Sequence, residues 1–205
     1  MRKPAADYRH LRLLLGWIVY FLLYITTERL IPSDACHMIH CPLDDQIPFN
    51  EGFVVFYVGW YFLMAGSLIY FLLCRVDRFC QLQTYIFTVQ MLATLVFLLY
   101  PSRQELRPEI FPRQNLLTDV MALIYRVDTP TGVFPSLHAA ISIGIASVWS
   151  RVREVPLWVR VWILWFCGMV CLSVCFVKQH SVLDVLGAVP ICLAAEWFVF
   201  WRKNA

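Results

Sequence analysis

The chain has 205 residues, of which 60% are hydrophobic and only 15% are charged. A soluble domain carries about 25% charged residues, so this composition excludes an ordinary water-soluble globular protein. The formal net charge of +3 comes from basic residues spread along the chain instead of gathered in one patch, so we expect no nucleic-acid partner.

The apolar residues fall into runs of about 17–25 residues, the length that crosses a bilayer core. In chain order the predicted spans are Leu11–Ile31, Gly52–Cys74, Leu82–Tyr100, Phe134–Ser150, Pro156–Val177 and Ser181–Trp201. The first run is long for a signal peptide and lacks a small-residue cleavage site, so we interpret it as a retained helix. No Gly/Ser-rich linker divides the chain. We therefore predict one domain over residues 1–205, an all-α integral membrane protein built as a six-transmembrane-helix bundle.

Lys and Arg in short connections set the expected orientation. Such residues fall on one side of the predicted bundle, namely Arg2, Lys3, Arg9, Arg12, Arg75, Arg78, Arg151, Arg153, Arg160, Arg202 and Lys203. The other side carries the acidic segment Pro32–Glu51 and the longer segment Pro101–Val133, in which Leu116–Arg126 is predicted to form a short surface helix. We expect a cell-membrane protein with both termini in the cytoplasm.

The segment Pro32–Glu51 contains two of the eight cysteines, Cys36 and Cys41. An oxidising compartment would permit a disulfide between them, and free thiols are the alternative. The run from Cys36 to Cys41 also offers His37 and His40 as potential zinc ligands, but this spacing matches no standard zinc motif. We therefore predict neither a metal nor another cofactor.

Ionisable side chains are costly near hydrocarbon, and those that occur there usually mark function. The predicted topology brings such groups from three separate segments to the outer membrane face. The candidate site residues are Arg103 and Arg107 after the third span, Ser136 and His138 at the fourth, and Lys178, His180 and Asp184 between the fifth and sixth.

The chemistry of these residue types points to phosphoryl transfer. His180 and Asp184 have the spacing that places two side chains on one helix face, where the carboxylate can orient the imidazole as a nucleophile. His138 can protonate a leaving alkoxide as general acid. The nearby cations can neutralise a phosphate, and a helix N-terminus at Ser136 adds donors for an anion.

Each residue also has a purely structural interpretation. His180 with Asp184 can link two spans, Arg107 can extend to the membrane surface, and Ser136 can cap a helix. An intramembrane serine protease using Ser136 and His180 is a further alternative, but no Gly-x-Ser-x-Gly turn surrounds the serine. The convergence of all these groups on one face favours the catalytic interpretation.

At these residues the chain resembles the type 2 phosphatidic acid phosphatase superfamily of membrane lipid phosphatases and phosphotransferases. Arg107-Pro108 matches the end of the first family motif, Pro135-Ser136-Leu137-His138 matches the second, and His180 with Asp184 matches the third. The resemblance covers nearly the whole chain. It implies a six-helix core in which His180 is the nucleophile, Asp184 its orienting partner, His138 the acid and later the base, and Arg107 a phosphate clamp.

The chain departs from the family pattern at three positions. Tyr100 stands where the first motif has lysine, and we expect Arg103 to substitute for it. Val174 stands where the third motif has arginine, and Lys178 is expected to take over part of that role. Leu137 replaces the glycine of the second motif, a form similar to the branch that contains inositol phosphorylceramide synthases.

We therefore expect a membrane enzyme that cleaves a phosphoester of a phospholipid or isoprenoid phosphate through a phosphohistidine. A head-group phosphotransferase shares the first half-reaction and differs only in the acceptor. A non-catalytic lipid-binding or transport protein is the alternative from another class. The expected partners are a lipid phosphate and the bilayer, and the oligomeric state is left open.

Overall fold

The structure, a computed structural model, describes residues 9–202, so the basic residues Arg2, Lys3 and Lys203 lie outside it. Most of the described chain is α-helical. The helices are α1 (Leu15–Leu30), α2 (Pro42–Gln46), α3 (Val54–Cys74), α4 (Val76–Leu99), α5 (Leu116–Val127), α6 (Leu137–Ser150), α7 (Leu157–Phe176) and α8 (Val182–Glu196). Short 3-10 helices cover Arg9–Leu14, Ser33–Ala35 and Glu51–Phe53, and a π-helical turn covers Trp197–Trp201. Two short strands, β1 (His37–Met38) and β2 (Ser102–Arg103), pair in parallel.

Five helical segments of the described chain are long and apolar enough to cross a membrane. They are His10–Leu30, Glu51–Cys74, Val76–Leu99, Leu157–Phe176 and Val182–Trp201. These segments agree with five of the predicted spans to within a few residues, except that α4 begins six residues before the predicted Leu82. The predicted span omits these first residues of α4, because Asp77 and Arg78 lower the hydropathy although they lie in the first helical turn. The fold is that of a helical membrane protein.

The predicted span Phe134–Ser150 is shorter in the structure. Its helix, α6, begins at Leu137 and has 14 residues, fewer than the roughly 20 that cross a bilayer. Pro135 lacks an N–H, and Ser136 is the extended N-cap, so the apolar residues before Leu137 are not helical. The count of six spans is therefore not confirmed.

Helix α6 lies at the centre of the bundle, where it contacts α3, α4, α7 and α8. Most of its side chains are small or β-branched and buried, including Ala139, Ala140 and Ile145. A Cβ atom at Gly144 would lie 2.3 Å from the Tyr85 ring of α4, so this crossing requires glycine. A helix surrounded by other helices is not required to match the thickness of the bilayer by itself.

One end of the bundle collects the loops that carry the candidate residues, and we call it the site end. Here α4 and α7 end while α3, α6 and α8 begin. The starts of α6 and α8 are in contact, because the Ser136 N–H donates to the Asp184 carbonyl at 2.9 Å. The predicted surface helix is confirmed as α5, whose N-cap Asn115 accepts hydrogen bonds from the backbone of Leu117 and Thr118. Cys36 and Cys41 are both free thiols, so of the two predicted alternatives the structure has the unpaired one.

Candidate active site

His180 and Asp184 are in contact at the start of α8. The Nδ1 atom of His180 lies 3.2 Å from Oδ2 of Asp184, and the same oxygen accepts the Ser181 N–H at 2.9 Å. Asp184 is fully buried and occupies the N3 position of α8. The carboxylate contacts Nδ1, so Nε2 is the ring nitrogen left for chemistry.

His138 lies beside this pair in the first turn of α6. Its ring centroid is 5.7 Å from that of His180 at an interplanar angle of 63°. Two aromatic rings of α3 hold it in place, Tyr57 at 4.6 Å and Trp60 at 4.3 Å between centroids. The Nε2 atom of His138 is buried without a hydrogen-bond partner in the described chain, which leaves a polar atom ready for a ligand.

Asp44, from the distant helix α2, holds the N-terminus of α8. Its carboxylate accepts hydrogen bonds from the Ser181 hydroxyl at 2.6 Å and from the Val182 N–H at 2.8 Å. Burial raises the pKa of Asp44, but the hydrogen bonds from Ser181, Val182 and Cys41 outweigh it and lower the pKa below its ordinary value. Sequence reasoning did not assign this contact, since the Asp44-Asp45 pair suited an exposed acidic loop equally well.

Lys178 lies next to this anchor and not in the wall of the cavity between the histidines. Its ammonium donates to the Asp44 carbonyl at 2.6 Å. Its backbone has φ of 55°, which is uncommon for a residue with a side chain, and Gln104 donates to its carbonyl at 3.2 Å. These contacts hold the strained turn that contains Lys178, two residues before His180.

Arg107 is surrounded by oxygen atoms of the protein. It donates five hydrogen bonds, to Gln179 Oε1 twice and to the carbonyls of Tyr125, Asp128 and Thr129. Five is also the number of N–H groups of a guanidinium. Arg107 therefore touches Gln179, the neighbour of His180, and orders the loop that follows α5.

Gln179 and Asp128 continue this network toward the histidines. The Gln179 amide donates to Asp128 Oδ2 at 3.2 Å and to the Tyr57 hydroxyl at 3.3 Å. Burial raises the pKa of Asp128 above its ordinary value, although Arg107 and His180 act in the opposite direction. Neither residue was a sequence candidate. The position of Gln179 directly before His180 was the only available signal.

Arg103 and Ser136 are the two remaining candidates. Arg103 forms an ion pair with Glu105 within the segment that carries β2, and it does not line the cavity. Ser136 is completely buried, and its hydroxyl accepts the Ala139 N–H at 3.4 Å as the N-cap of α6. Tyr100, at the position where the family motif has lysine, stacks on His37 at 4.3 Å between ring centroids.

A cavity of about 330 Å³ joins His138 and His180 to the interior of the bundle. Its polar end also contains Gln179, Asp128 and Thr129, whereas the rest of its wall is mainly aromatic and aliphatic with a few polar side chains, among them Gln90 and Thr94. The side chains come from α1, α3, α4 and α6. Among the described residues that line it, none is Lys or Arg. The cavity can thus accept an apolar chain with a polar group between the histidines.

Within residues 9–202, no group of three or more His, Cys, Asp or Glu side chains is close enough to hold a metal ion. The imidazoles of the site can support proton transfer and nucleophilic attack. Comparison of the chain with protein-family models, with curated proteins and with solved structures finds no match in any of the three.

Proposed function

We propose that the protein is a membrane lipid phosphatase or phosphotransferase that cleaves a phosphoester of a phospholipid or isoprenoid phosphate through a phosphohistidine. The observation that carries the proposal is the pair of imidazoles, one backed by a buried carboxylate, at the polar end of a largely apolar cavity. A lipid phosphate has the same distribution of polar and apolar parts. The resemblance of the motifs around Arg107, His138 and His180 supports the same assignment.

The proposed reaction has two steps. Nε2 of His180 attacks phosphorus and the bond to the lipid oxygen breaks, while His138 gives its proton to the departing alkoxide. Water or an acceptor alcohol then attacks the phosphohistidine, the phosphorus–nitrogen bond breaks, and His138 takes the proton of the attacking hydroxyl. Asp184 orients His180 and offsets the positive charge that develops on it.

In the arrangement described, Arg107 and Lys178 act on the site indirectly. Arg107 acts through Gln179 and the loop after α5 in the arrangement described, and Lys178 acts through the turn before His180. A phosphate between the histidines would compete with Gln179 and the loop carbonyls for the guanidinium, and charge-assisted bonds to phosphate are stronger than bonds to neutral oxygens. Direct contact between phosphate and Arg107 then requires exchange of those partners.

We place the site at the extracytoplasmic face of the cell membrane, with both termini cytoplasmic. The basic residues Arg75, Arg78, Arg151 and Arg153 lie at the opposite end of the bundle from the histidines, which agrees with the positive-inside rule. In this proposal α6 completes the six-helix core, although it is short. Replacing Asp45 by cysteine and labelling that cysteine from outside intact cells tests whether the site faces the exterior.

The experiment for the function is turnover by the purified protein in mixed micelles with phosphatidate or farnesyl phosphate. We expect phosphate release that falls by about 10³-fold in His180→Ala. The matched control is His40→Ala, because His40 is half exposed, pairs with Asp45 and does not line the cavity. Equal turnover in wild type and His180→Ala would reject the proposal.

A second measurement distinguishes hydrolysis from transfer. With a labelled head group, a phosphatase releases free phosphate, whereas a phosphotransferase moves the label to a second lipid or an added alcohol. The phosphoenzyme itself should carry an acid-labile, alkali-stable phosphoryl group that is absent in His180→Ala. Binding of both lipids without turnover or label transfer would instead indicate the non-catalytic alternative, which the full set of protein partners of Arg107 favours.

A further inference from the structure

The cavity extends beyond the histidines along one face of α4. The side chains Gln90, Ala93, Thr94 and Phe97 line it, and their spacing places them on the same face of the helix. Gln90 lies about 14 Å along the axis from the end of α4 at Leu99, at roughly 1.5 Å per residue. The apolar side chains Met64 and Ile141 also line the cavity.

Two polar atoms in this wall have no hydrogen-bond partner in the described chain. They are Oε1 of Gln90, whose residue is 1% exposed, and Nε1 of Trp60, whose residue is 6% exposed. One is an acceptor and the other a donor. Trp60 also packs against His138 at 4.3 Å between ring centroids, and both Trp60 and Gln90 line the cavity that contains the candidate nucleophile.

Gln90 differs from the other glutamines that the structure buries. Gln83, on the same helix α4, accepts the indole N–H of Trp17 and donates to the Leu13 carbonyl. Gln104 and Gln179 likewise bond to neighbouring segments through their amides. A buried amide oxygen without a partner is costly, and its occurrence in a cavity wall indicates a partner that the protein itself does not supply.

We propose that Gln90 and Trp60 form a hydrogen-bonding subsite that recognises a hydroxyl or secondary amide in the apolar part of the bound amphiphile. This inference rests on the proposed function, because it assigns the substrate class of the same cavity. A hydroxyl or amide can both donate to Gln90 and accept from Trp60. A plain alkyl or isoprenoid tail can do neither and would leave both atoms unpaired.

The test uses non-cleavable phosphonates, so that turnover does not consume the probe. Hexadecylphosphonate is compared with phosphonates of equal length that carry one secondary amide at successive positions along the chain. Dissociation constants are measured for the wild-type protein in nanodiscs. We expect one amide position to bind about tenfold more tightly than hexadecylphosphonate, the effect of one well-placed hydrogen bond.

Gln90→Met is the decisive variant, because methionine has a similar length and no polar atom to leave unpaired. It should reduce the tenfold preference to less than about twofold while the affinity for hexadecylphosphonate stays the same. Gln83→Met is the matched control on the same helix, outside the cavity, and it should keep the preference. Trp60→Phe should weaken the preference in part.

Equal affinity of the wild type for all the phosphonates, failure to bind any of them, or a preference that persists in Gln90→Met would overturn the inference. A preference for the amide in a protein without turnover would leave the subsite intact and reject the proposed function. Turnover that His180→Ala abolishes, together with indifference to the amide, would reject the subsite alone.

Discussion

The Ser181 hydroxyl donates a hydrogen bond of 2.6 Å to the carboxylate of Asp44, a residue 137 positions earlier in the chain. Asp44 also accepts the Val182 N–H at 2.8 Å, so one side chain satisfies two donors at the N-terminus of α8. This helix carries Asp184, and His180 directly precedes its N-cap. The segment between α1 and α3 therefore sets the position of the candidate nucleophile.

Replacement of Asp44 by alanine should destabilise the protein by about 2–3 kcal/mol, because it leaves buried donors of Ser181 and Val182 unpaired. Since hydrogen bonds lower the pKa of Asp44, its contribution is present above the ordinary aspartate pKa and is lost as pH falls through the lowered value. Thermal unfolding in detergent, followed from pH 3 to 7, measures both effects.

The neighbouring Asp45 provides the control for Asp44. Its side chain is 68% exposed and pairs with His40 at the surface, so Asp45→Ala should change the unfolding temperature little. Equal effects of the two substitutions would show that the Asp44 anchor does not stabilise α8.

Arg107 should not tolerate lysine. A lysine ammonium has three donors on a flexible stem and cannot reproduce five hydrogen bonds to Gln179 and three backbone carbonyls. We expect Arg107→Lys to lower the unfolding temperature nearly as much as Arg107→Ala, and to lower turnover at least tenfold. Thermal unfolding and steady-state kinetics of both variants provide the check.

The same variants separate a structural role of Arg107 from phosphate binding. If the guanidinium only orders the loop, kcat and stability fall together and KM changes little. A large rise in KM at unchanged stability would show that phosphate contact dominates. Arg126→Lys is the control, since Arg126 is an exposed residue in the last turn of α5.

Asp128 should make the protein less stable as pH rises. Burial raises its pKa in the folded protein, so the unfolded chain releases this proton at lower pH than the folded protein does. Unfolding stability then falls with increasing pH from about 4, the ordinary aspartate pKa, through the raised value. Asp128→Asn removes this dependence and can still accept the Gln179 amide.

The measurement is the unfolding temperature of wild type and Asp128→Asn between pH 4 and 8. The variant should be the more stable protein at pH 7, and the difference should shrink toward pH 4. A variant that is less stable than wild type at pH 7 would mean that the Asp128 charge is needed in the Arg107 network.

His138 should be dispensable for the first step of the reaction when the substrate has a good leaving group. A general acid contributes about 10²–10⁴-fold when the leaving alkoxide is basic, and little when it is a weakly basic phenolate. We expect His138→Ala to lose formation of the phosphoenzyme from phosphatidate but to retain much of it from an aryl phosphate, measured as the initial burst of phenolate that precedes the second step, in which His138 is the base. His180→Ala should lose both, because no nucleophile remains. Comparable losses on the two substrates in His138→Ala would contradict the role as acid.

The sequence was sufficient to predict the class of fold and several of its parts. Runs of apolar residues predicted the long helices, because helix length and hydrophobicity must match the bilayer. The sequence predicted the contact between His180 and Asp184, although His180 lies just before the N-cap of α8 and not on the helix face that the spacing suggested. The short surface helix predicted at Leu116–Arg126 is α5.

Only the tertiary structure decided which groups meet across the chain. Nothing in the local pattern connects Asp44 with Ser181 or Arg107 with Gln179, because these contacts depend on how distant loops cross the site end of the bundle. The length of α6 was likewise decided by packing, since a helix enclosed by four others is under no requirement to match the bilayer. Sequence determines what a segment becomes when its own side chains and the solvent suffice, whereas long-range burial determines which partner each polar group finds.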